Sequence, residues 1–263
     1  DVTPERDGKR LIVQPNTFNM YCHREPRFYL TVVWNGQWFK WENRNTNFLY
    51  GQPDGGPTHD APQNGYLNRS RVSLDYIPRD NNHPYRPAII FRMAEAYLSY
   101  AEALNESSER MSHKQEILDN LNKIRHRAGI AEYGTGTDEN GFTRIKINFS
   151  DQKEVRRLIH KERRVEFVGE GVRYHDLRRW KTAHYGIGNL NEQGENPDWG
   201  VNGPDYGMNY YGTEYTDQGD NAFFKRTKYM DRVYPRKFYW YPIHQSEIDK
   251  DPTLVQGPFW LGE

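Results

Sequence analysis

The sequence lacks the features that define several large classes of protein. Its 263 residues include one cysteine, Cys22, so no disulfide can form within the chain. The 36 Lys and Arg residues balance 36 Asp and Glu residues, so the basic excess of a nucleic-acid-binding protein is missing. No apolar run approaches the roughly 20 residues that a membrane-spanning helix needs. The composition therefore predicts no disulfide framework, no nucleic-acid partner and no spanning helix.

The common cofactor and metal motifs are missing as well. The 9 histidines include no His-Glu-x-x-His pair, and the chain has no Gly-x-Gly-x-x-Gly, phosphate-binding loop or Gly-x-Ser-x-Gly turn. The sequence therefore predicts neither a metal nor an organic cofactor.

Aromatic residues are abundant. They make up 14% of the chain, with 19 Tyr and 7 Trp, although the apolar fraction is only 35%. Disordered chains are poor in aromatic residues, so this composition indicates a folded protein whose surface is polar and rich in aromatic rings. Such surfaces suit ligands with polar edges and apolar faces, as sugars have.

Residues 28–41 show the alternation of a β-hairpin. Residues 28–34 and 37–41 are predicted as strands, joined by a type I′ turn at Asn35-Gly36. The more apolar face, which we expect in the core, carries Phe28, Leu30, Val32, Trp34, Phe39 and Trp41. The opposite, solvated face carries Tyr29, Thr31, Val33, Trp38 and Lys40. Trp38 is therefore expected to face a partner surface or a ligand.

Helical periodicity dominates the middle of the chain, after a long irregular stretch at residues 42–85 of a kind that is often functional. The first helical pattern has apolar residues at Ile89, Met93, Tyr97, Tyr100 and Leu104. The second has Ile117, Leu121, Ile124 and Ala128, with Gly129 as its C-terminal cap. The third follows Asp151, a good N-cap, and extends to residue 168. A short helix over residues 174–181 and a short strand over residues 238–241 complete the prediction.

Four segments resemble the SusD/RagB family of nutrient-uptake outer-membrane lipoproteins. They are residues 92–105 (RMAEAYLSYAEALN), 121–129 (LNKIRHRAG), 159–180 (IHKERRVEFVGEGVRYHDLRRW) and 241–258, which open with Tyr-Pro-Ile-His. Each segment alone is weak evidence for the family. The order and spacing of the four segments carry the resemblance, which covers residues 86–263. His244, Asp251 and Gly257 depart from the family pattern, with turn-compatible residues where proline or asparagine is usual.

The resemblance implies a mainly α fold of tetratricopeptide-like helical repeats, with irregular loops and small β-hairpins. Residues 1–85 are then a loop and hairpin region that bears part of a glycan site. Residues 86–263 are the C-terminal helical region of the family. The N-terminal portion of the family has no counterpart in this chain.

The resemblance also implies a function without catalysis. Family members are lipid-anchored proteins of the Gram-negative outer membrane, exposed at the cell surface. They capture oligosaccharide or polysaccharide and deliver it to a SusC-like TonB-dependent transporter. For this chain we expect the same partners, with membrane contact through a lipid anchor outside it. A peptide-capturing relative is the alternative within the family.

Paired carboxylates raise an alternative from another class, a glycoside hydrolase. The carboxylates that stand close together in the sequence are Glu162, Glu166, Glu170 and Asp176. Arginines surround each of them, and arginine lowers the pKa of a neighbouring carboxyl group, which works against a general acid at neutral pH. Arginine–carboxylate pairs that join helices are the preferred interpretation, so no catalytic residue is predicted.

Aromatic residues in the loops before the helices form the predicted glycan site. Flat rings stack on the C–H face of a pyranose, while amides and guanidinium groups bind the hydroxyls of its rim. The predicted stacking residues are Trp38, Tyr50 and Tyr66, and the predicted hydrogen-bonding residues are Asn64 and Arg69. A second group, either a ligand lip or a transporter contact, consists of Trp199, Tyr206, Tyr210, Tyr211 and Tyr215. Ordinary core packing is the competing interpretation for every aromatic residue.

Overall fold

The computed structural model describes residues 13, 15–39, 42–70, 72, 80–81, 83–85, 87–186 and 200–260. The chain forms two compact units. The first comprises Asp1–Gly171 and Gly207–Thr227, and the second comprises Val172–Tyr206 and Lys228–Glu263. The boundary that we expect between residues 85 and 86 stays a prediction.

Among its described residues, the first unit has four α-helices: α1 (Pro26–Thr31), α2 (Met93–Glu106), α3 (Lys114–Arg127) and α4 (Gln152–Glu166). Helix α2 packs against both α3 and α4. The predicted core face of α3 is confirmed, because Ile117, Leu121 and Ile124 are buried. The predicted N-cap of α4 is confirmed as well, since the Asp151 carboxylate accepts hydrogen bonds from the backbone N–H groups of residues 153 and 154.

The predicted core face of α2 is wrong. Ile89 precedes the helix and is exposed, and Met93 and Tyr100 are exposed on it. The buried side of the helix carries Ala94, Leu98, Ala101, Glu102 and Asn105. Small side chains let α2 approach two other helices closely, so the alanine side faces inward and the larger side chains stay outside. The Tyr100 hydroxyl donates a hydrogen bond to Glu116 at 2.7 Å, which holds that ring over α3.

The predicted hairpin at residues 28–41 is also wrong. Pro26 stands in the first turn of α1, where its fixed φ favours a helix, so the chain turns before any strand begins. Strand β1 (Val32–Trp34) then pairs antiparallel with β4 (Tyr66–Asn68), and β2 (Trp38–Phe39) with β3 (Arg44–Asn45). A turn does form at Asn35-Gly36, with the Gln37 N–H donating to the Trp34 carbonyl at 3.2 Å. It is not the predicted type I′ turn, because only Gly36 has a positive φ.

This change of secondary structure reassigns the two hairpin faces. Trp34 is fully buried, as predicted. Leu30, expected in the core, is 59% exposed, whereas Tyr29, expected in solvent, is buried. Helical rather than strand periodicity governs residues 26–31, so alternate residues no longer share a face. Residues 40 and 41 of the predicted second strand lie outside the described residues.

An aromatic core holds the loops of the first unit together. Trp34 packs between Phe28 and Tyr29, with ring centroids 5.5 and 5.4 Å apart. The same core includes Met208, Phe223 and Phe224 from the distant segment Gly207–Thr227. The core therefore fixes that segment beside the loops at residues 42–66.

The second unit contains α5 (Val172–Arg179), strands β5 (Gly203–Gly207) and β6 (Thr227–Arg232), which pair at its border, and α6 (Gln245–Lys250). The short strand predicted over residues 238–241 is wrong, because a 3-10 helix spans Arg236–Tyr239. The Arg178 guanidinium donates hydrogen bonds to the carbonyls of Phe238 at 2.8 Å and Tyr239 at 2.7 Å. These carbonyls are thus satisfied by a side chain and need no partner strand.

Candidate functional site

Three tyrosines from two distant loops meet on the first unit. Tyr50 lies 6.1 Å from Tyr210 and 5.5 Å from Tyr211, and the last two rings lie 5.1 Å apart, all measured between ring centroids. We call Tyr50, Tyr210 and Tyr211 the tyrosine trio. Tyr211 is 70% exposed, and the other two rings are half-buried beside it. The trio therefore offers aromatic surface to solvent.

Backbone hydrogen bonds fix the trio. The Tyr50 N–H donates to the Gly212 carbonyl at 2.8 Å, which ties the two loops together. The Tyr211 N–H donates to the Asn209 side chain at 3.1 Å. Gly56 passes directly beneath the Tyr210 ring, since a Cβ atom at this position would lie 2.6 Å from the ring. The rings are thus held in place before any ligand arrives.

A cavity of about 410 Å³ is lined in part by Asn47 and Leu49, which precede Tyr50 in the same loop. Its polar wall consists of Asn16, Asn35, Asn45, Asn47, Thr17, Thr46 and Tyr215. We call it the asparagine cavity. Among the described residues that line it, none carries a charge.

The amides of this cavity differ in how they are used. The Asn35 Oδ1 accepts a hydrogen bond from the Phe48 N–H at 2.6 Å, so this buried side chain shapes the loop. The Asn47 amide donates to Gln52 at 3.3 Å. Within the described part of the chain, the side chains of Asn16 and Asn45 make no hydrogen bond. They are the amides best placed to bind a ligand.

Charged groups near the cavity are already paired. The Arg44 guanidinium donates to Asp54 at 2.6 and 2.8 Å and to Glu42 at 2.6 Å. Burial raises the pKa of Asp54, but hydrogen bonds from Arg44 and from the Asn47 N–H outweigh it and leave the pKa below its usual value. Asp54 is therefore ionised at neutral pH.

Trp38 pairs with a residue that lines the asparagine cavity. It is half-buried in β2, directly opposite Asn45 of β3. Directly opposed residues of an antiparallel pair share one face, so the indole and the Asn45 amide point to the same side. The role of Trp38 and Tyr50 in binding stays a prediction.

Tyr66, Asn64 and Arg69 each have a structural partner. The Tyr66 ring packs edge-on against buried Tyr21, with centroids 6.0 Å apart, and burial raises the pKa of Tyr66. The Asn64 Oδ1 accepts from the Tyr66 N–H at 3.1 Å. The Arg69 guanidinium donates to the carbonyl oxygens at the end of α1, at 3.0 and 3.3 Å. Ligand contacts by these three residues stay predictions beside these packing roles.

Sequence reasoning missed that the two groups of aromatic residues form one region. Tyr210 and Tyr211 join Tyr50, and Tyr215 lines the asparagine cavity. Tyr206 belongs to the second unit, and Trp199 lies outside the described residues. The two loops are joined by a hydrogen bond from the Tyr210 hydroxyl to the Thr58 carbonyl, 152 positions away. Local sequence patterns cannot predict a contact over such a separation.

A larger cleft of about 970 Å³ lies between α3 and residues 132–149. Its wall carries charges of both signs, and several of these charged groups contact neighbours. Glu132 accepts from Arg144 at 2.9 Å, and the Lys123 ammonium lies 4.5 Å from the Tyr97 ring centroid. This cleft therefore differs in chemistry from the uncharged asparagine cavity.

Arginines hold the carboxylates that could suggest hydrolysis. Glu162 accepts from Arg27 at 2.7 Å and from Arg125 at 2.8 Å. Glu166 accepts from Arg27 at 3.0 Å and also from Arg92 and Arg127. Glu170 and Asp176 pair with Arg92 at 2.7 Å and with Arg179 at 2.9 Å, respectively. Glu162 and Glu166 of α4 thus join α4 to α1 and α3, as the sequence predicts, whereas Asp176 and Arg179 pair within α5.

The pairing of Glu166 predicts acid sensitivity. Burial raises its pKa, but hydrogen bonds from Arg92 and Arg127 outweigh that effect and lower the pKa below the usual 4.5. The stability that this pairing contributes is complete above pH 4.5 and is lost as the pH falls through the folded-state pKa. We expect melting temperature to fall steeply below that pH. The fall should be shallower in Glu166→Gln, and an equally steep curve would assign the effect to other carboxylates.

Membrane-spanning helices and metal-ligand clusters are both absent from the described residues. None of their helices combines the length and apolar content that crossing a membrane takes. Within the same residues, no three metal-ligating side chains lie together.

The fold defines a helical scaffold whose loops carry an aromatic and amide-rich surface. A sequence profile of the SusD family matches residues 5–260, and the chain belongs to this family. Two SusD-like proteins of Formosa agariphila, P25 and P38, are each 32% identical to it over 109 and 103 residues. These matches cover 41% and 39% of this chain but only 18% and 19% of the relatives.

Solved structures confirm the predicted mainly α, SusD-like fold. A SusD-like protein of Bacteroides fragilis is 27% identical, with a TM-score of 0.62 over 92% of this chain and 40% of that protein. A SusD-like carbohydrate-binding protein of the same species is 24% identical, with a TM-score of 0.58 over 90% of this chain and 42% of that protein. The chain thus spans about two fifths of the length of these relatives.

Proposed function

We propose that this chain binds glycan at the tyrosine trio and the asparagine cavity, as part of a non-catalytic protein at the surface of a Gram-negative cell. The oligosaccharide or polysaccharide is then passed to a SusC-like TonB-dependent transporter. Outer-membrane attachment through a lipid anchor outside this chain belongs to the same proposal. Membership of the SusD family supports it, as does the relative described as carbohydrate-binding.

One observation carries the proposal. The loop that carries Tyr50 of the exposed tyrosine trio also lines, through Asn47 and Leu49, a cavity whose wall is made of amides and hydroxyls. A sugar has an apolar C–H face and a rim of hydroxyls, so rings and amides match its two kinds of surface. The loops are fixed by hydrogen bonds, and little ordering is needed when the ligand binds.

Calorimetry with the tyrosine variants tests this function. We expect Tyr50→Ala and Tyr211→Ala to weaken binding of the best oligosaccharide in a panel about tenfold to a hundredfold, by analogy with the stacking of bases on aromatic rings. Tyr85→Ala is the matched control, because Tyr85 is 92% exposed and far from the site in sequence. It should bind like the parent protein.

The same preparation separates the rival functions. We expect no release of reducing ends from any glycan that binds, because Arg27 and Arg125 hold Glu162. Steady product formation that disappears in Glu162→Gln would establish a hydrolase instead. Binding of a peptide library, with no binding of any glycan, would identify a peptide-capturing protein.

A further inference from the structure

We propose that the asparagine cavity selects uncharged sugars, so that the glycan taken at this site is neutral and carries neither uronate nor sulfate groups. This proposal rests on the proposed function and narrows it to a chemical class of substrate. It follows from the hydrogen-bonding groups of the cavity wall, and from the charges around it.

The wall matches hydroxyl groups. A carboxamide both donates and accepts hydrogen bonds, as a sugar hydroxyl does, and each therefore satisfies the other in either direction. The amides of Asn16 and Asn45 line the cavity without a hydrogen bond to the described residues. The Tyr215 oxygen accepts from the Phe18 N–H at 3.0 Å. Its hydroxyl hydrogen is then directed away from that N–H and can be donated to a ligand.

The wall does not match an anion. A carboxylate or sulfate that leaves water needs a cation or several strong donors, and without them the loss of hydration is not recovered. None of the described lining residues is basic. The nearest cation along the strand, Arg44, already donates to both Asp54 and Glu42. These two carboxylates already use the donors of its guanidinium, so an anionic ligand would have to compete with them for Arg44.

The Arg44 guanidinium therefore stabilises the loop. Asp54 also accepts the Asn47 N–H at 2.8 Å, so Arg44 and Asp54 brace the turn that carries Asn45 and Asn47. Moving Arg44 onto a ligand would break its ion pairs with Asp54 and Glu42, and a surface ion pair with the ligand returns little in exchange. This cost argues against Arg44 as a latent anion receptor.

A panel of oligosaccharides of matched length tests the selection. Calorimetry would compare neutral malto-, cello-, xylo- and manno-oligosaccharides with oligogalacturonate and sulfated carrageenan fragments. We expect at least one neutral glycan to bind at least about tenfold more tightly than every charged one. A charged glycan that binds best would overturn the selection and leave the proposed function intact. A panel with no binding at all would overturn the proposed function itself.

A charge introduced into the cavity gives a second, independent readout. Asn45→Arg places a cation at the wall, and we expect a gain of about tenfold or more in affinity for oligogalacturonate, which salt should weaken. Ser108→Arg, in the exposed turn after α2, is the matched control and should bring no gain. Asn45→Lys repeats the test if the arginine variant melts early. Equal gains in the cavity variant and the control would overturn the assignment of the cavity.

Discussion

Replacing Glu162 by alanine is expected to lower the free energy of unfolding by about 3–5 kcal/mol, because a buried ion pair that loses one partner strands the other charge. The carboxylate is almost completely buried and binds Arg27 and Arg125, whose side chains are themselves mostly buried. The truncation leaves both guanidinium groups without this acceptor. Chemical denaturation, followed by circular dichroism, measures the loss.

Glu139→Ala is the control for that substitution. Glu139 is exposed, and surface substitutions usually change stability by less than about 0.5 kcal/mol. A Glu162→Ala protein as stable as this control would mean that the arginines find other acceptors, and that the cluster does not join the helices.

The second large expected effect is a difference between two tryptophans four positions apart, Trp34 and Trp38, in the stability lost when each is replaced by alanine. Trp34→Ala should cost about 3–5 kcal/mol of stability, because the indole is fully buried between aromatic rings. Trp38→Ala should cost only about 1 kcal/mol, since its ring is half-buried at a strand pair of two residues. It should instead weaken glycan binding about tenfold to a hundredfold.

Melting curves and calorimetry on the same two proteins decide between these roles. Normal glycan binding by a folded Trp38→Ala protein would place the site elsewhere, at the larger cleft beside α3 or outside this chain. An unfolded Trp38→Ala protein would assign Trp38 to the core and contradict the role that we predict for it.

Local signals predicted the helices well and the loops poorly. The N-cap at Asp151 and the apolar spacing of Ile117, Leu121 and Ile124 depend on neighbours within a turn or two, so the sequence contains them. The hairpin failed because β1 pairs with Tyr66–Asn68 rather than with the strand that follows the turn. A turn sequence indicates where the chain reverses, but it does not determine which strand will pair with the strand before the turn.

The candidate site stays a prediction, and the structure adds partners that the sequence did not indicate. The preference of aromatic rings and amides for sugars directed attention to Trp38 and Tyr50, which the structure places opposite Asn45 and beside Tyr210 and Tyr211, respectively. Tyr66 and Arg69 have the same composition signal but receive packing and capping partners from residues about 40 positions away. Composition cannot separate the two cases, because the difference lies in which distant segment arrives beside each side chain.

The tyrosine trio also has a consequence for the order in which parts of this protein can fold during synthesis. The loops that hold Thr58 and Tyr210 are 152 positions apart, and all four helices of the first unit lie between or before them. A chain growing from its N-terminus completes those helices before Tyr210 has been added. Closing so long a loop also costs more entropy than forming any of the helices' local contacts. The trio is therefore completed only after the helices of the first unit, and a chain ending at residue 171 would retain Tyr50 alone of its three rings.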